Sequence, residues 1–139
     1  MMLKTNRTVG YRVAKLAALA QAALLLFWGG FASAQEGGNR LQDIQVQSLP
    51  GDRVEIKLIM SDMAPEPLDF TIENPARIAL DLPDTALGMS QRRRDVNVGP
   101  LDTVLTAEAN GRTRVVLNLG TMVEYDTRLS GNTVIVTLG

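Results

Sequence analysis

The chain has 139 residues, with 14 Lys and Arg against 15 Asp and Glu, and it contains neither His nor Cys. That length holds one domain and leaves room for a targeting segment. Without His or Cys, no Ser-His-Asp or Cys-His nucleophile can be assembled, and no zinc site of the usual nitrogen and sulfur ligands.

The first 34 residues read as a signal peptide. Lys4, Arg7, Arg12 and Lys15 give a positive start, Leu16 to Phe31 is an uncharged apolar run, and Ala32-Ser33-Ala34 supplies small residues before a cut. The apolar run is shorter than the roughly 20 residues that cross a membrane, and it carries Gln21. Cleavage after Ala34 is therefore expected, with the mature chain starting at Gln35. The cut removes four of the 14 basic side chains and none of the 15 acidic ones, which leaves ten against 15, a net charge of −5. Such a surface argues against nucleic acid, whose phosphates demand positive charge. An exported chain without Cys must be held by burial alone. The remaining 105 residues suffice, since domains near this size bury about two-thirds of their unfolded surface.

Residues 35–40, "QEGGNR", read as a polar linker ahead of a domain over 41–139. Strand patterns then follow one another. "DIQVQSL" and "RVEIKLIM" flank Pro50-Gly51-Asp52, a turn signal. In the second run Val54, Ile56, Leu58 and Met60 alternate with Arg53, Glu55 and Lys57, the pattern of a half-buried strand. "MAPEPL" carries two prolines, which suits a crossing between sheets. A hairpin over Phe70 to Asp84 follows, with Phe70 and Ile72 expected to face inward, a turn at Asn74-Pro75, and Ile78, Leu80 and Leu82 inward again. Pro83 to Arg94 shows no two-residue period and has room for a single helical turn. "DVNVG" and "TVLTAEA" lead to Asn110-Gly111, the strongest short hairpin signal because both central residues of a type I′ turn need positive φ. "RTRVVLNL", "EYDTRL" and "TVIVTLG" complete a count of eight or nine strands.

A faint duplication runs through the domain. Arg53 to Met60 lines up with Arg112 to Leu119, and Thr71 to Leu82 with Thr127 to Leu138, at offsets of 59 and 56 residues. Ile78, Leu80 and Leu82 then match Val134, Val136 and Leu138 in apolar phase. Each half supplies one strand, a linker and a hairpin, and two such half-sheets packed face to face would form an all-β sandwich with pseudo-two-fold symmetry. Its core would include Ile78, Leu80, Val115, Leu117 and Val136.

Carboxylates are the acid–base groups that remain. Asp81 and Asp84 are the closest pair, and turn chemistry accounts for Asp84 after Pro83. No Asp-x-Asp-x-Asp-Gly loop suggests Ca²⁺, and no Gly-rich or Walker pattern suggests a nucleotide. The expectation is a non-catalytic domain without cofactor or metal. Gln91 to Asp95, "QRRRD", reads as a solvated loop or as a contact for an anionic partner. Arg77 and Asp81 fall on the outward phase of their strand, four residues and about 13 Å apart, too far to pair directly. Arg53, Glu55, Lys57, Arg112 and Arg114 are outward as well. Cross-strand ion pairs account for most of these charges, and so does a platform for a polar polymer.

The runs "GDRVEIKL", "FTIENPARIALDLP", "NGRTRVVLNL" and "GNTVIVTLG" resemble the AMIN domain, over roughly Leu41 to Gly139. The most specific part is Phe70, Ile72, Asn74, Pro75, Arg77, Ile78, Leu80, Asp81, Leu82 and Pro83. AMIN domains stand at the periplasmic N-terminus of type IV pilus secretins and ahead of the catalytic domain of some exported N-acetylmuramoyl-L-alanine amidases. The resemblance implies a β-sandwich of two similar sheets, a periplasmic location and peptidoglycan as ligand. Inner-membrane or periplasmic pilus assembly proteins are further partners it implies, and a homo-oligomeric ring in the context of a full secretin. On motif match and outward phase, Arg77, Asp81, Arg112 and Arg114 are the candidate peptidoglycan contacts. Two other readings stand beside this one: the targeting domain of an amidase, or a protein-docking module that uses "TVIVTLG" as an edge strand, apolar on both faces at Ile135.

Overall fold

The computed structural model describes residues 38–139; the expected signal peptide lies outside them. Ten strands form: β1 (Asn39–Leu49), β2 (Arg53–Met60), β3 (Leu68–Ile72), β4 (Arg77–Leu82), β5 (Thr85–Leu87), β6 (Arg93–Val98), β7 (Leu101–Ala109), β8 (Arg112–Leu119), β9 (Tyr125–Ser130) and β10 (Thr133–Leu138). They make two five-stranded sheets. The first has the order β5-β1-β2-β10-β9 and the second β3-β4-β8-β7-β6. The all-β sandwich expected from the strand spacing is what the chain adopts.

Alternation drives the packing. In β2, Val54, Ile56, Leu58 and Met60 are fully buried while Glu55, Lys57 and Ile59 stay half-buried on the other face. β8 repeats the scheme with Thr113, Val115, Leu117 and Leu119. Ile78, Leu80 and Leu82 of β4 and Val134, Val136 and Leu138 of β10 complete the centre of one core, all at 0% exposure. Each such side chain contributes roughly 1.5–3 kcal/mol by leaving water. Asn110 and Gly111, at φ 55° and 78°, close the β7–β8 hairpin as their sequence demands.

The duplication is real and interlaced. Each half does not make its own half-sheet, as the sequence suggested. β2 pairs with β10 of the second half, and β8 pairs with β4 of the first. The registers match pair for pair: Val54↔Leu138, Ile56↔Val136 and Leu58↔Val134 in the first sheet, Thr113↔Leu82, Val115↔Leu80 and Leu117↔Ile78 in the second. Even the irregularity in β1, between Leu41 and Asp43, recurs in β7 between Leu101 and Thr103. The exchange of hairpins puts strands from both halves into each sheet, so neither half can bury its apolar face alone.

Several expectations are corrected. Asn39 and Arg40, read as linker, begin β1 and pair with β5. Pro83 to Arg94 holds no helical turn; it contains the short parallel strand β5, too brief to show a period. Arg93, Arg94 and Asp95 lie in edge strand β6, where the Arg94 guanidinium donates to the Ile44 carbonyl at 2.6 Å. The "TVIVTLG" strand is β10, paired on both sides by β2 and β9, so it offers no free edge. Ile135, 7% exposed, lies on the outward face between Lys57 and Arg128, its partners in register.

Phe70 and Ile72 are also reversed. The turn after β3 has four residues, Glu73 to Ala76, and includes a cis Asn74–Pro75 bond. Its length sets Ile72 opposite Arg77 and Phe70 opposite Ala79. Both apolar side chains therefore share the outward face with Arg77 and Asp81.

Candidate functional site

The registers place side chains on the outward face of the second sheet in three rows. The first runs Leu68, Asp81, Arg114, Ala107 across β3, β4, β8 and β7. The second runs Phe70, Ala79, Val116, Leu105 and ends at Arg93 of β6. The third runs Ile72, Arg77, Asn118, Thr103 and ends at Asp95. An apolar stripe, with Phe70 40% exposed at one end, thus separates two polar rows.

Asp81 organises the first row. Its carboxylate is only 5% exposed and accepts two hydrogen bonds from Arg114, from Nε at 2.6 Å and Nη2 at 2.9 Å. Arg112 approaches it to 3.7 Å. The Arg114 hydrogen bond holds the Asp81 carboxyl below the usual carboxylate range; burial opposes this, and the charges of Arg114 and Arg112 reinforce it. The same hydrogen bond, with the charge of Asp81, raises the Arg114 guanidinium further above its ordinary value. Arg114 also lies over the Phe70 ring, 5.1 Å from its centroid, a cation–π distance. Held from two sides, Arg114 is pre-oriented, which reduces the rotamer entropy a ligand contact would cost.

Beside this cluster lies a depression of about 480 Å³, lined by Arg112, Arg114, Ala107, Ala109 and Asn110. The β7 residues opposite the two arginines are Ala107 and Ala109, and their short side chains leave the space open. Arg77 stands apart, four residues along β4 from Asp81 and about 13 Å away. It is half-buried, and its Nε is buried without a hydrogen-bond partner among the described residues. Of the four candidates, Asp81, Arg112 and Arg114 converge and Arg77 does not. The structure adds Phe70, Leu68, Ala107 and Ala109 to the face. The signal for them was turn length, which fixes register, rather than residue type.

The equivalent positions on the first sheet differ sharply. By register, Arg114 corresponds to Glu55, Asp81 to Thr137, Phe70 to Arg128 and Val116 to Lys57. There Glu55 lies 3.9 Å from both Lys57 and Arg128, looser contacts than the 2.6 Å Arg114–Asp81 bond, and an arginine stands where the second sheet has Phe70. One fold, used twice, carries an apolar stripe and converging arginines on the second sheet alone.

The Asp81–Asp84 pair does not form an acid–base dyad, because Asp81 is occupied by arginine and Asp84 is exposed in a turn at φ 49°. The AMIN domain model matches residues 43–138. The chain belongs to the AMIN domain family. This AMIN domain is 42% identical over 99 residues to the "Fimbrial assembly protein PilQ" of Pseudomonas aeruginosa, covering 71% of the chain. It is 32% identical over 113 residues, 81% of the chain, to the "Type IV pilus biogenesis and competence protein PilQ" of Neisseria gonorrhoeae and to that of Neisseria meningitidis serogroup A. The alignments span only 14% of the first relative and 15% of the other two. The motif from Phe70 to Pro83 coincides with β3, its turn and β4, which supply two of the five strands of the outward face.

Proposed function

We propose that this AMIN domain is a non-catalytic, periplasmic, peptidoglycan-binding module of a type IV pilus secretin, and that the outward face of the second sheet is its binding surface. The observation that carries the reading is the contrast between equivalent faces: the second exposes the Phe70 ring beside Arg112 and Arg114, while the first has the charged Arg128, Glu55 and Lys57 in the positions of Phe70, Arg114 and Val116. An apolar stripe between polar rows suits a polymer whose sugars and peptides offer both kinds of surface. The pilus proteins among its relatives favour a pilus setting over an amidase. Asp81 serves by positioning Arg114, since its own carboxylate is nearly inaccessible.

Co-sedimentation of the purified protein with peptidoglycan sacculi, at low and at physiological salt, tests this. Retention at physiological salt supports recognition by the face. Loss on adding salt would assign the binding to diffuse attraction through exposed arginines such as Arg92 and Arg93. Absence of binding in both buffers overturns the reading.

A further inference from the structure

Arg114 of the first row and Arg112, two residues before it on β8, stand against one aspartate, and the three are not equally engaged. Arg114 spends two of its donor atoms, Nε and Nη2, on Asp81. Arg112 approaches Asp81 only to 3.7 Å, beyond hydrogen-bond distance, and makes no side-chain hydrogen bond among the described residues. Half of each arginine side chain remains exposed, and both line the depression of about 480 Å³ whose other walls are Ala107, Ala109 and Asn110. Asp81 cancels one positive charge, which leaves the cluster with a single surplus charge and free guanidinium donors.

A single surplus charge suits one carboxylate. Arginine's fork of donors matches that group in geometry, and small flanking residues admit it without displacing a side chain. The rest of the row and the neighbouring stripe are apolar: Leu68 is 60% exposed, and Phe70 lies in contact with Arg114. A free carboxylate flanked by small apolar groups is what the end of a short peptide presents. A neutral glycan backbone offers no such partner for the surplus charge.

Resting on the peptidoglycan reading above, we infer that the Arg112–Arg114 depression recognises a free carboxylate of the peptide stems, and that the glycan strands are not the part of the polymer selected. The apolar stripe then takes the stem's aliphatic groups. Asp81 acts as a positioning residue that fixes Arg114 and limits the cluster to one monoanion. Arg77, at the other end of β4, takes no part in this contact.

The test compares three polymers in one co-sedimentation assay at physiological salt: untreated sacculi, sacculi whose carboxylates have been converted to amides with carbodiimide and ammonia, and glycan strands stripped of their stems and amidated in the same way, since stripping frees a lactyl carboxylate on the sugar. Binding on the order of tenfold weaker to both treated polymers supports the inference, as expected from the loss of charge-assisted hydrogen bonds. R112Q should bind untreated sacculi as weakly as the wild type binds amidated sacculi, and amidation should then make little further difference. Since Arg112 is half exposed, its melting temperature should stay close to that of the wild type. Undiminished binding to amidated sacculi or to stripped glycan overturns the carboxylate assignment and leaves the peptidoglycan reading standing. No binding to untreated sacculi overturns both.

Discussion

Asp81 of β4 and Arg114 of β8 are direct cross-strand partners, and the guanidinium of Arg114 donates to both carboxylate oxygens of Asp81. The pair converts a position that should be solvated into one that is nearly buried. It also ties the two halves of the duplicated chain, since β4 comes from the first and β8 from the second. Asp81's carboxyl titrates below the ordinary range, so its ionised form stabilises the fold above about pH 4 and that contribution fades as pH falls further. The stability difference between wild type and Asp81→Asn should therefore be constant near neutrality and shrink below about pH 4. Chemical denaturation across this range measures it; a difference that grows in acid would reverse the assignment.

Much of the core was legible in alternation alone. Val54 to Met60 and Ile78 to Leu82 point inward as their spacing requires, because a strand's two-residue period leaves no other way to bury every apolar side chain. Leu80 is fully buried, and Leu80→Ala should cost about 2–5 kcal/mol in urea denaturation. Retained stability would mean the site collapses around the lost atoms.

What alternation could not give was the phase of an edge strand. Leu68, Phe70 and Ile72 alternate as cleanly as any buried run, but a four-residue turn sets them across from Asp81, Ala79 and Arg77. The opposite side of β3 faces the rim of the sandwich, where Asp69 accepts a hydrogen bond from the Tyr125 hydroxyl at 2.5 Å. Polar residues on the inner phase are tolerated at that rim because Asp69 finds this partner and Thr71 stays exposed to solvent. The exchange of hairpins between halves was equally hidden, since matched sequence segments reveal repetition and not which copy pairs with which. β5 is three residues long and paired in parallel, below the length at which a period can be seen.

The Tyr125–Asp69 bond links β9 and β3, edge strands of different sheets. Burial, the hydrogen bond and the Asp69 charge push the Tyr125 hydroxyl up to about 12. A raised value means the bond stabilises fully below the ordinary tyrosine range and is lost as pH rises from about 10 to about 12. Tyr125→Phe should cost about 1 kcal/mol at neutral pH, and the deficit should vanish over that alkaline interval. Thermal denaturation of both proteins from neutral to alkaline pH checks it.

Two glycines at positive φ should respond differently to the same change. At Gly111, φ 78°, an added methyl meets nothing within 4 Å, so Gly111→Ala costs only backbone strain, about 1–2 kcal/mol. At Gly99, φ 54°, the methyl would lie 2.9 Å from Cγ2 of the buried Val54. Gly99→Ala adds overpacking of about 1–3 kcal/mol to the strain. Paired melting curves decide the order, and equal losses would show that the loop before β7 yields freely.

Phe70 provides the sharpest separation of stability from function. It is 40% exposed, so truncation removes little buried area, and its cation–π contact with Arg114 is worth about 0.5–1 kcal/mol at an exposed site. Phe70→Ala should therefore shift stability by about 1 kcal/mol or less while weakening sacculus binding severalfold, because the stripe loses its one aromatic surface and Arg114 one of its two restraints. The corresponding position on the first sheet is Arg128, whose partner is Glu55. Arg128→Ala should leave sacculus binding unchanged. Equal loss from both substitutions would spread the interaction over the whole domain, whereas loss from Phe70→Ala alone confines it to the face that the second sheet presents.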